Sequence, residues 1–228
     1  MINFLNHIKK NIHKLIKAII FDFDGVILNS TEIKTNAFIN IFEKKYKKFL
    51  PKIIKHHKNN LGISRYKKLK VYLQEFIGIK FTNKDIDLFA NKFSLYCLNK
   101  ILRCNFIPGV KKFLEDNLDE YLFFISSGTP TQELNYICKK RKINQYFKYI
   151  YGSPHTKTTH IKKISKKFNL KPKEIIFIGD SLSDYKITKK NNLNFIGINY
   201  KKNLNIKNEL IINNFNEIKS SLKNIYEK

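Results

Sequence analysis

The sequence predicts an α/β fold in which strands and helices alternate along the chain and one all-helical segment interrupts the alternation. Three observations predict it. A run of β-forming residues from Ala18 ends in two aspartates, Asp22 and Asp24, and a glycine, as expected at the tip of a buried strand. Residues 31–105 carry apolar residues at helical spacing and no strand pattern. After Pro108, strand and helix patterns alternate to the end of the chain, which is typical of a sheet covered by helices.

The individual elements follow from the spacing of apolar residues and from the residues that start helices. The helical segment is expected to contain three helices, the second starting after Ser64 and the third at Asn83, with a polar break at 56–62 between the first two. Later in the chain, Thr129 and Pro130 are typical of a helix N-cap and of the first helical position. The strands predicted after the helical segment lie at 121–126, 148–151, 174–179, 194–198 and 210–212.

These patterns divide the chain into a core and two additions. Residues 1–17 mix apolar and lysine positions at helical spacing, which predicts an amphipathic N-terminal extension. Residues 18–30 and 106–228 are expected to form the α/β core, into which the helical segment 31–105 is inserted. No apolar run approaches the ~20 residues of a membrane span. The extension also lacks the long apolar stretch of a signal peptide.

The charge of the chain is extreme. Its 44 lysines and arginines against 18 aspartates and glutamates give a formal net charge of +26, and only Arg65, Arg103 and Arg141 are arginines. Phosphate and base recognition favour the bidentate fork of arginine, so the lysine excess indicates solvated surface side chains and no nucleic-acid partner. A positive field nevertheless attracts small anionic substrates.

The cysteines indicate a cellular compartment. Cys97, Cys104 and Cys138 are odd in number and are not spaced as pairs of metal ligands. We expect free thiols in a reducing compartment, which favours a cytoplasmic location. The sequence carries no indication of an oligomeric state.

Four predicted strand tips carry residues that suit phosphate chemistry. In chain order the tips carry Asp22 and Asp24; Ser126, Ser127 and Gly128; Lys157; and Asp180 and Asp184. Ligands bind at the carboxyl ends of strands in open α/β sheets, so these side chains are expected to converge. A turn accounts for the serines and a helix cap for Asp184, but neither explains an aspartate such as Asp180 at the end of a buried strand.

Taken together, the four motifs resemble those of the haloacid dehalogenase-like phosphohydrolase superfamily, in which they occur in this order. The resemblance spans nearly the whole chain from Ala18 and is to the C1-capped subfamily I, similar to phosphoglycolate phosphatase and β-phosphoglucomutase. It implies a Rossmann-like parallel sheet core with helices on both faces, and it implies that residues 31–105 are an all-helical C1 cap.

The resemblance also implies roles for the residues at the strand tips. Asp22 would be the nucleophile that forms an aspartyl-phosphate, and Asp24 would protonate the leaving group and then take a proton from water. Three carboxylates that converge at one strand tip would repel one another without a cation, and hard oxygen ligands suit Mg²⁺. The implied phosphate-binding residues are Ser126, Ser127, Gly128 and Lys157. The implied metal-binding residues are Asp22, Asp24, Asp180 and Asp184.

The cap is expected to select the substrate. The stretch 61–65 is similar to the Gly-Val-Ser-Arg loop of β-phosphoglucomutase, in which the arginine grips a phosphate of the substrate. Arg65 is therefore a candidate substrate-binding residue. Lys92 is a second candidate, because it falls where that family has a cap lysine facing the site; an ordinary surface position is the alternative for each. His56 and His57 lie before this loop and are expected in a solvated turn, with a position bordering the loop as the alternative.

One departure from the mutase pattern bears on the reaction. Lys34 stands where the mutase has a histidine on its first cap helix, which favours hydrolysis over transfer. The predicted function is Mg²⁺-dependent hydrolysis of a small phosphomonoester, a sugar phosphate or a phosphoglycolate-like acid. The presence of Asp24 and of the metal carboxylates argues against a dehalogenase. The alternatives are β-phosphoglucomutase-like phosphoryl transfer, phosphonate hydrolysis through a cap lysine, and a basic nucleic-acid-binding protein on the same fold.

Overall fold

The computed structural model describes residues 16–200, 204 and 206–226, so most of the predicted N-terminal extension lies outside the described residues. A six-stranded parallel sheet with the order β3-β2-β1-β4-β5-β6 forms the core. The strands are β1 Ala18–Phe21, β2 Leu122–Pro130, β3 Tyr149–Ser153, β4 Ile175–Gly179, β5 Asn194–Ile198 and β6 Leu210–Ile212. The strand order places the first strand inside the sheet, between β2 and β4.

Nine α-helices occur in the described residues, and they account for the alternation seen in the sequence. The four between β1 and β2 that form the insertion are α1 Thr31–Tyr46, α2 Leu50–Asn59, α3 Arg65–Val71 and α4 Asn83–Arg103. The five that follow are α5 Val110–Asp116, α6 Thr131–Lys140, α7 Lys157–Phe168, α8 Leu182–Lys190 and α9 Ile218–Tyr226. The predicted fold class, a Rossmann-like sheet with helices on both faces and an inserted helical cap, is confirmed. None of the described helices has the length and apolar character to cross a membrane.

The first strand is buried on both faces of the sheet. Ile19 and Phe21 belong to one apolar cluster, whereas Ala18 and Ile20 belong to a second cluster on the opposite face. All four side chains are fully buried, which explains why the strand is a continuous apolar run without polar alternation. Helices cover both faces of the sheet, so the strand is accessible only at its ends.

The inserted helices have their own aromatic core. Phe38 of α1 packs against Tyr72 and Phe93, with ring centroids 5.3 and 4.7 Å apart. The chain enters and leaves the insertion at adjacent points, because the Asn29 amide donates to the Asn105 carbonyl at 2.9 Å. We propose on this basis that residues 31–105 are a separate cap unit on the core formed by 18–30 and 106–228.

Two sequence predictions about element ends are wrong. The break expected at 56–62 begins only after Asn59, because Ile53 and His57 lie four residues apart on the buried face of α2 and continue the helix. Strand β2 also runs on to Pro130, so α6 begins at Thr131 and Thr129 is not its N-cap. The hydroxyl of Thr129 is engaged at the tip of β1 instead.

Candidate active site

The buried carboxylates at the sheet's carboxyl edge come from two neighbouring strand tips. Asp22 follows β1, Asp180 follows β4, and Asp184 lies in the first turn of α8. One carboxylate oxygen of each lies within 4.8 Å of the others, and all three side chains are buried. Burial and the neighbouring carboxylates raise the pKa of Asp22 above its ordinary value. A group of hard oxygen donors with this much negative charge fits a divalent cation such as Mg²⁺.

Asp184 is held in place by the local backbone and by Ser181. The Ser181 hydroxyl donates to Asp184 Oδ2 at 2.6 Å and accepts from the Asp184 amide at 3.2 Å, as the sequence spacing predicts for a helix cap. A Cβ atom at Gly179 would lie 2.4 Å from the Asp184 Cβ. The glycine that ends β4 therefore provides the space that the aspartate occupies.

Lys157 supplies a positive charge next to the carboxylates of Asp22 and Asp184. Its Nζ lies 3.0 Å from Asp22 Oδ1 and 2.5 Å from Asp184 Oδ1, and its side chain is buried. Burial alone lowers the pKa of this ammonium, but the Asp184 and Asp22 carboxylates raise it above its ordinary value. Lys157 is therefore charged, and it favours the ionised form of Asp22.

Asp24 lies in a different environment from the other aspartates. Its carboxylate accepts from Ser30 Oγ at 2.6 Å, from Thr129 Oγ1 at 3.2 Å and from the ammonium of Lys34. Burial raises the pKa of Asp24, but Lys34 and these hydrogen bonds outweigh it and lower the pKa below its ordinary value. The structure does not bring the Asp24 side chain into the Asp22, Asp180 and Asp184 group, contrary to its predicted place among the metal ligands.

The hydroxyls of Ser126 and Ser127 have partners within the core. The Nε2–H of His160 donates to the Gly152 carbonyl at 3.2 Å, so Nδ1 accepts from the Ser126 hydroxyl at 2.8 Å. The Ser127 hydroxyl accepts from the Thr129 amide at 3.1 Å. Neither serine lines the cavity described below, whereas Gly128 does. Gly128 is thus the member of this motif that lines the cavity, whereas Asp22 and Lys157 lie outside its lining, as the two serines do.

The cap loop lies directly on the strand tips. The Leu61 carbonyl accepts from Ser181 Oγ at 3.5 Å and from the Ser183 hydroxyl. Gly62 has a φ of +81°, and a Cβ there would lie 2.9 Å from Lys157 Nζ. Backbone meets backbone at this point, since a Cβ at Gly128 would lie 2.5 Å from the Gly62 oxygen. The closed cap covers a cavity of about 40 Å³.

We expect Gly128→Ala to lower kcat/KM by about tenfold or more, because the added methyl group would push the cap loop away from the strand tips. The Cβ would lie 2.5 Å from the Gly62 oxygen, which is too close for the cap to close fully. Steady-state kinetics and thermal unfolding of the variant test this. Parent kinetics in a stably folded variant would mean that turnover does not need this close approach.

Arg65 lines the cavity, as predicted, but its charge is paired. Its Nη2 lies 2.6 Å from Glu133 Oε1, and the Ser94 hydroxyl donates to Glu133 Oε2 at 2.8 Å. Since Glu133 belongs to α6 of the core, the ion pair joins cap and core. Lys34 makes a second such link, because it also donates to Thr129 Oγ1 at 2.6 Å.

The prediction that Lys92 faces the site is wrong. Lys92 is exposed and borders a different surface pocket, together with Lys44 and Tyr96. The next residue of α4, Phe93, is the one that lines the cavity. A step of one residue turns a helical side chain by about 100°, so the neighbour of an inward residue points away.

Three basic residues of the cavity were not predicted as site residues. Lys34, His57 and Lys68 line the cavity together with Asp24 and Arg65. The prediction that His57 lies in a solvated turn is wrong, because it is buried. The helical spacing carried a signal for Lys68, which lies three residues after Arg65 and therefore on the same face of α3.

The comparisons with known proteins agree with this architecture. The family described as haloacid dehalogenase-like hydrolase matches residues 19–198. A β-phosphoglucomutase structure from Clostridium difficile has a TM-score of 0.73 and 21% identity over 93% of this chain and 97% of that chain. A predicted phosphoglycolate phosphatase from Haemophilus somnus has a TM-score of 0.69 and 21% identity over 90% of this chain and 97% of that chain. At these identities the structural likeness shows the fold alone. Among curated proteins, no sequence matches this chain.

Proposed function

This chain belongs to the haloacid dehalogenase-like hydrolase family, and from that premise we propose that it is a Mg²⁺-dependent phosphatase that hydrolyses a small phosphomonoester. One observation carries the proposal. Three buried carboxylates and the Lys157 ammonium meet at the tips of β1 and β4, directly beneath the cap loop and close in sequence to Asp24. Such a cluster supplies a nucleophile, a cation site and an acid–base group within one small volume.

The nucleophile in this proposal is Asp22. Its carboxylate attacks phosphorus, the bond between phosphorus and the leaving oxygen breaks, and an aspartyl-phosphate forms. Lys157 favours the ionised form of Asp22 through its contact at 3.0 Å. Mg²⁺ held by Asp22, Asp180 and Asp184 would offset the negative charge of the phosphoryl group as it approaches these carboxylates.

Asp24 is the acid–base residue of the proposal. It would give a proton to the leaving oxygen and then take one from the water that hydrolyses the aspartyl-phosphate. The contacts with Lys34, Ser30 and Thr129 favour the carboxylate form. The carboxylate form of Asp24 is the form that takes a proton from water. To give a proton to the leaving oxygen, Asp24 must first be protonated, and this requires that a substrate dianion draw the Lys34 ammonium away from it.

The phosphatase is favoured over phosphoryl transfer by the contacts of the cap. A mutase must hold the second phosphate of a bisphosphate, and Arg65 is the candidate residue for that task. The guanidinium of Arg65 already pairs with Glu133 at 2.6 Å, and the cavity of about 40 Å³ suits a short substrate.

The free thiols of Cys97, Cys104 and Cys138 support a reducing location such as the cytoplasm.

The direct test is phosphate release from a panel of sugar phosphates, short phosphorylated acids and nucleotides, with Mg²⁺ and with a chelator. We expect release from one substrate class, and its loss when the chelator removes Mg²⁺. Conversion of β-glucose 1-phosphate without net phosphate release would favour the mutase instead. Steep loss of function with rising salt, together with nucleic-acid binding, would favour the basic binding protein.

Arg65→Ala is expected to raise the KM for the preferred substrate about tenfold, because loss of the Glu133 ion pair loosens the cap over a substrate that reaches it, and to raise the KM for a small artificial ester much less. The ester does not reach the cap, so it reports only on the strand tips. A matched variant is Arg103→Ala, which removes an arginine at the end of α4. Equal rises in KM for both substrates would mean that Arg65 does not act through the contact between the cap and the substrate.

A further inference from the structure

Lys68 is a buried ammonium without a carboxylate contact. Its side chain is 3% exposed, and it lines the cavity. The other two cations of the cavity each contact a carboxylate, Lys34 that of Asp24 and Arg65 that of Glu133. Within the described ranges, the only hydrogen bond of Lys68 Nζ is to Nδ1 of His57, at 2.9 Å. A buried charge is costly without a counter-charge, and burial and Lys34 lower the pKa of Lys68 to about 7.

The ring of His57 carries a hydrogen-bond donor that lacks an acceptor, and it lies beside Lys68. Burial and the adjacent Lys68 charge lower the pKa of His57 to about 2, so the ring is neutral. Since Nδ1 accepts from the Lys68 ammonium, Nε2 carries the ring proton. Nε2 is buried, and no described atom accepts its hydrogen bond. Buried polar groups in proteins almost always have partners, so this unpaired N–H, on a residue that lines the cavity, indicates a missing acceptor.

We infer that Lys68 and His57 form an anion subsite in the cap, which selects substrates that carry a carboxylate in addition to the scissile phosphate. The inference rests on the proposed function, since it places the substrate's phosphate at Asp22. A carboxylate has oxygens to accept from both the Lys68 ammonium and the His57 Nε2–H, and it supplies the counter-charge that Lys68 lacks.

The size of the cavity indicates a short acid. Its volume is about 40 Å³. A water molecule needs a cavity of roughly 10–15 Å³, so the cap leaves room for only a few heavy atoms here. A phosphorylated acid of two or three carbons fits this space better than a phosphorylated hexose. Lys68 is thus a specificity-determining residue, and His57 is its positioning residue and second donor.

The test measures binding of two phosphonates that differ in one group. Phosphonoacetate carries a carboxylate, whereas 2-hydroxyethylphosphonate carries a neutral hydroxyl at the same distance. Titration calorimetry of the full chain with Mg²⁺ is expected to show a preference of about 10- to 100-fold for phosphonoacetate, the usual range for a hydrogen bond to a charged group. Lys68→Met should reduce this preference to about threefold or less. Lys67→Met, which removes the same charge from the exposed face of α3, should leave it unchanged.

Several results would overturn the inference. These are equal binding of the two phosphonates by the parent chain, an unchanged preference in Lys68→Met, and an equal loss of preference in Lys67→Met. A stronger preference for methylenebisphosphonate, dependent on Lys68, would assign the subsite to a second phosphate and overturn the carboxylate assignment. Neither phosphonate is hydrolysed by a phosphatase, so these results are independent of turnover. Failure of the proposed function would appear separately, as absence of chelator-sensitive phosphate release.

Proton uptake on binding of phosphonoacetate distinguishes a lysine that binds the carboxylate from one that only stabilises the fold. The charged and titratable groups around Lys68 are His57, Lys34, Asp22, Asp24 and Asp180. With a pKa of about 7, the free Lys68 is largely neutral at pH 8, and an incoming carboxylate restores its charge. Phosphonoacetate binding at pH 8 should therefore take up protons, seen as a dependence of the binding heat on the buffer. Identical uptake in Lys68→Met would contradict the subsite.

Discussion

Replacing Asp22 with asparagine is expected to lower phosphate release by at least about 10³-fold, because an amide does not attack phosphorus to form the acyl-phosphate. The fold should persist. The side chain is 2% exposed, and asparagine has nearly the same shape without the buried charge. Phosphate release with Mg²⁺ measures the first effect, and thermal unfolding without Mg²⁺ measures the second.

The matched control for this variant is Asp87→Asn, which makes the same change on the exposed surface of α4 and should keep parent kinetics. Mass spectrometry of acid-quenched reactions adds a direct observation, since a phosphoryl adduct should form on the parent chain and not on Asp22→Asn. Turnover of Asp22→Asn at the parent rate would show that another group is the nucleophile. An adduct on a different residue would identify that group.

Replacing Lys157 with methionine is expected to destabilise the Mg²⁺-free chain by about 3–5 kcal/mol, because two buried carboxylates lose their only close cation among the described residues. For a chain of this size the loss corresponds to a fall in Tm of roughly 6–20 °C. Activity should fall by about 10²-fold or more, since charge at the phosphoryl group is no longer offset. Differential scanning calorimetry with and without Mg²⁺ measures the first effect.

The response of Lys157→Met to Mg²⁺ tests whether the lost stability comes from the buried carboxylates. A divalent cation replaces much of the missing positive charge, so saturating Mg²⁺ should stabilise Lys157→Met more than it stabilises the parent chain. Lys162→Met removes a lysine from the exposed surface of the same helix and should change neither Tm nor its response to Mg²⁺. An equal response of Lys157→Met and the parent to Mg²⁺ would mean that the cation binds away from Asp22 and Asp184.

The positions of Asp22 and Asp180 could be predicted from the sequence because parallel strands impose them. Each residue directly follows a buried apolar strand, and the carboxyl ends of β1 and β4 are adjacent once the two strands pair. The Asp22 amide in fact donates to the Ile178 carbonyl at 2.9 Å. The pairing of these two strands therefore places both aspartates at the same edge of the sheet.

The cap residues could not be placed in the same way. A helical pattern indicates which face is apolar, but not which part of that face meets the core and which part lines a cavity. His57 lies on the apolar face of α2, and its pattern does not distinguish burial in the cap core from a place at the cavity. Lys92 and Phe93 are adjacent in the sequence, yet only Phe93 faces inward. Such differences depend on the packing angles of the cap helices, which spacing does not determine.

The pairing of Arg65 with Glu133 could not be predicted from the sequence either. The two residues are 68 positions apart and belong to different parts of the chain, so no local pattern connects them. Thr129 shows a related limit, because its sequence context is typical of a helix cap. The extension of β2 to Pro130 overrides that preference and directs the hydroxyl to Asp24.

The lysine-rich composition has a consequence for how the cap moves. The segment from Thr31 to Arg103 holds 17 lysines and arginines against five aspartates and glutamates, and the core is also strongly positive. The net charges of the two parts have the same sign and favour their separation at low salt, whereas the ion pairs of Lys34 and Arg65 with core carboxylates hold them together at short range. An anion bound between them would lower this repulsion. We therefore expect the repulsion to favour an open cap when no anion is bound, and we expect added salt to weaken that preference by screening.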